Sequence, residues 1–136
     1  MRGMRVVAGV VAATWLLAAC GTPQDRDLCR QYADLQDTAA QVTELDPMDT
    51  AAELTTIADD TLNQLDQLQA ASDGLYDNAI SVFRANLFAL REASDQLGDA
   101  ALSTARPLIA DVAVDTVTSY ALLRVRLDVA CGTAIT

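Results

Sequence analysis

Histidine and lysine are both absent from the 136 residues, and aromatic side chains make up only 4%. Without histidine the chain lacks the commonest general base near neutral pH and the commonest transition-metal ligand. Without lysine there is no Ser–Lys nucleophile, and Ser72, Ser81, Ser94, Ser103 and Ser119 have no histidine to activate them. The glycines are isolated, so no phosphate-cradling loop is present. Cations are scarce as well: nine arginines stand against 19 acidic residues, a formal charge of −10. Such a chain suits nucleic acid poorly, because neutralised phosphates dominate that affinity. These absences point away from catalysis, cofactors, metals and nucleic acids. Length alone sets the expectation of one domain.

What is present begins at the amino terminus. Arg2 and Arg5 precede an uncharged stretch from Val6 to Ala19, which ends at Cys20 and the polar run Gly21-Thr22-Pro23-Gln24-Asp25. A basic start, a short apolar stretch and small residues before a cut make a secretory signal. The stretch falls short of the about 20 apolar residues that a permanent span needs.

Leu17-Ala18-Ala19-Cys20 resembles the lipobox of bacterial lipoproteins, a likeness confined to the first 20 residues. The resemblance implies diacylglycerol on the Cys20 thiol, cleavage before Cys20, and acylation of the new amine in some bacteria. Two acyl chains hold a protein stably on a bilayer where one does not. The implied location is the extracytoplasmic side of the cell membrane, with residues 1–19 a signal peptide and 20–24 a lipidated tether. Losing Arg2 and Arg5 leaves seven arginines against 19 acids, a charge of −12. The Arg-without-Lys, Ala- and Asp-rich composition also resembles uncharacterised actinobacterial lipoproteins, and a saline habitat produces the same bias.

Beyond Cys20 only Cys29 and Cys131 remain. In an oxidising compartment an even pair reads as a disulfide, with two buried free thiols as the alternative. Two cysteines without histidine do not complete a tetrahedral metal site. A bridge would close nearly the whole mature chain into one loop, worth about 4–5 kcal/mol by loop entropy.

Four helical segments follow from periodicity. From Asp25 to Leu45, Leu28, Tyr32, Leu35, Ala39 and Val42 share one face, and Asp46-Pro47 ends the helix. From Ala51 to Ala71, Leu54, Ile57, Thr61, Leu65 and Leu68 form the stripe behind a Thr50/Glu53 capping box; Ser72-Asp73-Gly74 supplies the stop and the next cap. From Leu75 to Leu97 the strictest four-three rhythm runs through Tyr76, Ile80, Phe83, Leu87, Leu90, Ser94 and Leu97. From Pro107 to Ala130 the stripe is Ile109, Ala113, Thr116, Tyr120, Leu123, Leu127 and Ala130, broadened by Val112, Val117 and Leu122, with Gly132 at the C′ position. Residues 100–106 read equally as a linker, a short helix or an extension of the third helix.

Short connections make successive helices antiparallel. An even number then returns the chain end to the pole where it began, while three helices would leave the cysteines about 30 Å apart. The bridge and a four-helix bundle thus support each other. The expectation is an all-α, up-down four-helix bundle over residues 25–132, closed by one disulfide, with a loose tail at 133–136. The bridged pole would face the membrane.

Other clusters read as surface chemistry. Asp59 and Asp60 point about 100° apart on a helix, and Asp73-Gly74 lacks the alternating ligands of a calcium loop. Arg84 and Arg91, a heptad apart, and Arg124 and Arg126 offer an anion patch or, more simply, i,i+4 ion pairs such as Arg91–Asp95 and Arg124–Asp128. Tyr32, Tyr76, Tyr120 and Phe83 fall in the apolar stripes as core or as pocket walls. The leading expectation is a non-enzymatic interaction or structural protein of the cell envelope, its acidic faces meeting a cationic protein partner. The alternative is a small-molecule or lipid carrier, distinguished by a cavity of several hundred cubic ångströms between the helices. A buried, shifted carboxylate pair would reopen catalysis. The heptad-like face of the third helix serves packing within one molecule or between copies alike, so oligomeric state is not fixed.

Overall fold

A computed structural model describes residues 23–135, and side chains over 25–132. The leader, Cys20 and the lipobox lie outside the described residues. Four α-helices follow one another: α1 (Pro23–Ala40), α2 (Ala51–Ser72), α3 (Asp77–Leu97) and α4 (Leu102–Ile135). Each packs along its sequence neighbour, and α1 meets α4 only sparsely. The Cys29–Cys131 disulfide joins the start of α1 to the end of α4, with Cα atoms 5.5 Å apart. The expected all-α, disulfide-closed four-helix bundle is therefore the observed one.

Helix ends follow local chemistry. Thr50 and Glu53 form the capping box of α2: the Glu53 amide donates to the Thr50 hydroxyl, and the Thr50 amide to the Glu53 carboxylate at 2.8 Å. Asp73, at φ 53°, and Gly74, at φ 86°, reverse the chain between α2 and α3. The next cap is Tyr76, which makes no side-chain capping bond, rather than a residue of the 72–74 segment.

Two helices differ in length from their periodicity. The first is shorter. After Ala40 the chain loosens into successive i→i+3 turns, among them Val42 N–H to the Ala39 carbonyl and Leu45 N–H to the Val42 carbonyl. Val42 is consequently 43% exposed instead of core. The last helix is longer and starts ahead of Pro107. The amides of Leu102 and Ser103 donate to the carbonyls of Asp49 (2.7 Å) and Pro47 (3.0 Å), which satisfies the orphan donors of a new N-terminus. Buried Leu102 and Ala105 reward those extra turns, while Pro107 removes a single ladder bond. At the other end α4 runs through Gly132, which stays out of the left-handed region and is not a C′ residue.

The core divides into two clusters. Around the disulfide, Tyr32, Leu35, Leu65, Ile80, Phe83 and Leu123 pack together. At the opposite pole Leu54, Leu90, Leu102 and Ile109 form a smaller group. There the start of α2 is laced to the connection between α3 and α4 by Ala51 N–H to the Ala100 carbonyl and Ala52 N–H to the Gly98 carbonyl, both 2.9 Å. Val117 and Leu122, expected to widen the buried stripe of α4, are instead exposed at 67% and 62%, Leu122 on the outer side of the helix and Val117 at the edge of an open cavity. With Val114, Val125 and Val129 also exposed, α4 carries apolar residues on its outer as well as its inner side.

Candidate functional site: an apolar trench

The unequal lengths of α1 and α4 create the site. The disulfide pins the two helices at one pole. The loop after α1 and the lacing around residue 101 close the other. Between these closures α1 and α4 diverge, and a cavity of about 580 Å³ lies in the gap. Leu54, Ile57 and Ala58 of α2 and Phe83, Leu87 and Leu90 of α3 line it from within the bundle. Ala39, Val42 and Leu45 form one wall, and α4 from Leu102 to Tyr120 forms the other.

Small side chains keep the gap unfilled. Ala39, Ala58, Ala110 and Ala113 all line it where larger residues would project into the space. On α4, Arg106, Ala110, Ala113, Val117 and Tyr120 recur at steps of four and three, one helical flank turned toward the cavity. At 1.5 Å per residue, the lined stretch of α4 is about 27 Å long. The shape is a trench, not a sphere.

The trench has almost no polar character. Three threonines line it, but each spends its hydroxyl hydrogen on a backbone carbonyl. Thr61 donates to Ile57 O, Thr116 to Val112 O and Thr43 to Ala40 O, all at 2.7 Å. Tyr120 sits at the disulfide-side end with its ring centroid 5.2 Å from that of Phe83. Burial pushes the Tyr120 phenol above its ordinary range, with Arg124 opposing and Asp128 adding to the rise. Arg106 is the one charged side chain in the lining among the described residues, on the exposed rim near the Leu102 end.

The candidate residues of the sequence distribute as follows. Cys29 and Cys131 are bonded. Arg84 and Arg91 reach across to α2 instead of along α3: Arg84 pairs with Asp66 at 2.7 Å and Arg91 with Asp59 at 2.5 Å. The expected Arg91–Asp95 pair is replaced because α2 presents its acids on the facing side. Arg124 lies 5.9 Å from the centroid of the Tyr120 ring, and Asp128 accepts from the Tyr32 hydroxyl. Asp77 accepts from Gln69 at 3.2 Å. Of the four aromatics, Phe83 and Tyr120 line the trench, Tyr32 belongs to the core, and half-buried Tyr76 packs against that core. No group of acidic or sulfur ligands with metal-site spacing occurs among the described residues. No helix among them is long and apolar enough to cross a membrane.

Whereas Ala39 and Ala113 stand in the apolar stripes, Arg106 and Ala110 are the flank residues that periodicity alone does not single out. Their signal was the Arg106/Ala110/Ala113 spacing, which marks a flank of small residues but not what lies opposite. No family model, curated protein or solved structure matches the chain.

Proposed function

We propose that this is a lipoprotein of the cell envelope, tethered by lipid on Cys20 to the extracytoplasmic side of the cell membrane, whose bundle carries an apolar small molecule or lipid. The cavity carries the reading. Ligand sites are concave, largely apolar and about 300–1,000 Å³ in volume, and the trench meets all three conditions. A purely structural bundle would gain by filling such a gap, since each unfilled methyl-sized void costs on the order of 1 kcal/mol. The competing reading, an interaction protein for a cationic partner, rests on net charge alone and has no localised surface behind it.

The tether fits a carrier. α1 begins at Pro23, so only two residues separate it from Cys20, a reach of about 10 Å. The disulfide pole would stand next to the bilayer. Arg106 lies 25 residues along α4 from Cys131, about 38 Å farther out. A ligand would thus be held clear of the membrane, with the trench open sideways. Nothing in the arrangement calls for bond making or breaking, and we read the protein as non-enzymatic.

The test is binding of Nile red, a neutral apolar dye, to the purified full chain. The expected result is saturable, roughly one-to-one fluorescence enhancement. Ala113→Trp, which projects a large ring into the trench from its half-exposed wall, should weaken it at least tenfold with the helical circular dichroism intact. Equal dye binding by both proteins would remove the carrier reading.

A further inference from the structure

We propose that the occupant of the trench is a single-chain amphiphile with an anionic head, its tail lying along the alanine flank and its head on Arg106. This rests on the carrier reading and adds the chemical class of the cargo.

The shape suits an extended chain. The cavity of about 580 Å³ runs along about 27 Å of helix, an elongated apolar space in which a hydrocarbon tail can lie lengthwise. A compact ring system needs a shorter and wider space. The alanines at 39, 58, 110 and 113 leave room for such a tail along the trench.

The polar end is defined by elimination within the lining. The three threonine hydroxyls are already donating to carbonyls, and Tyr120 sits at the inner end, against Phe83. Arg106 is exposed at the opposite end and forms no ion pair among the described residues. Two nearby acids are engaged elsewhere: Asp49 of the loop after α1 accepts from the Asp46 amide at 2.7 Å, and Glu53 of α2 from the Thr50 amide at 2.8 Å. A guanidinium at the rim of an apolar slot matches a carboxylate head bidentately. Its aliphatic stem meanwhile extends the apolar wall. The inner end, where the Phe83 and Tyr120 rings meet, carries no charged side chain among the described lining residues and suits the apolar terminus of such a ligand. Orientation is thereby set, tail toward the disulfide pole and head away from it. This local pairing overrides the acidic character of the whole chain, because charges separated by more than about 8–10 Å are largely screened at physiological salt.

The experiment compares hexadecanoate with hexadecan-1-ol as competitors of Nile red on the full chain, with wild type and Arg106→Gln side by side. Hydrogen bonds to a charged group predict a preference of about tenfold to a hundredfold for the carboxylate. Arg106→Gln should bring the carboxylate down to the affinity of the alcohol, and Arg106→Lys should restore part of the difference. Equal affinity of the two competitors for the wild type would overturn the anionic head while leaving the carrier reading standing. Tighter binding of a two-chain phosphatidylglycerol than of hexadecanoate would overturn the single-chain assignment. Binding of none of them, nor of the dye, would instead bring down the carrier reading itself.

Discussion

The Tyr32 hydroxyl reaches across 96 residues of sequence to donate to Asp128, tying α1 to α4 beside the disulfide. Burial first, and then the bond to Asp128, push its pKa up to about 12, against the lowering effect of Arg124. An unfolded tyrosine titrates near 10, so the folded chain keeps a proton that the unfolded chain gives up. The stabilisation is whole below about pH 10 and disappears as pH rises toward 12. Tyr32→Phe should cost about 1–3 kcal/mol near neutrality. The gap between variant and wild type should close between pH 10 and 12, as read from urea unfolding at fixed pH values. A gap that persisted unchanged at pH 12 would contradict the assignment. At this scale the sequence was only partly legible. Its spacing puts Tyr32 in the core stripe, where it lies, but helical spacing pairs Asp128 with Arg124 four residues away and not with Tyr32. Long-range partners depend on which helices become neighbours, and i,i+4 spacing carries no such information. Arg106 stayed hidden for the same reason.

Among the elements, α2 and α3 were read nearly to the residue, because their stripes are continuous and their ends carry strong signals. The Thr50/Glu53 box is the clearest of these. Thr50→Ala should lower stability by about 1 kcal/mol, and differential scanning calorimetry should show a melting point about 4–8 °C lower. An unchanged melting point would mean that the lacing of residues 98–103 alone holds this pole. The outer helices were less legible. α1 loses its regular ladder at Ala40, ahead of the Asp46-Pro47 break, and α4 begins ahead of a proline that reads as a start. Both departures come from tertiary contact: the carbonyls of Pro47 and Asp49 cap α4, and the loop that supplies them follows the end of α1. One exchange therefore shortens the first helix's reach, lengthens the last helix, and opens the trench between them.

Across the whole molecule, the even helix count and the single disulfide were predictable together, because each demands the other. A cavity was not predictable. Composition and spacing describe which residues face inward, but they do not reveal whether the inward faces meet. That depends on the relative lengths of α1 and α4 and on the alanines between them. The proposed arrangement joins three parts: a lipid on Cys20 as the tether, a stapled pole placed by that tether next to the bilayer, and an apolar slot farther out. The slot lies between two fastened poles, one held by Cys29–Cys131 and the other by the backbone bonds between residues 47–52 and 98–103. The central claim is that this slot holds a lipid tail, and native mass spectrometry of the protein released from membranes of its own host tests it most directly. The account predicts a principal species heavier than the processed, lipidated polypeptide by one non-covalently held single-chain acid, and loss of that added mass in Ala113→Trp. A wild-type population carrying no such adduct under conditions that preserve the fold would contradict it.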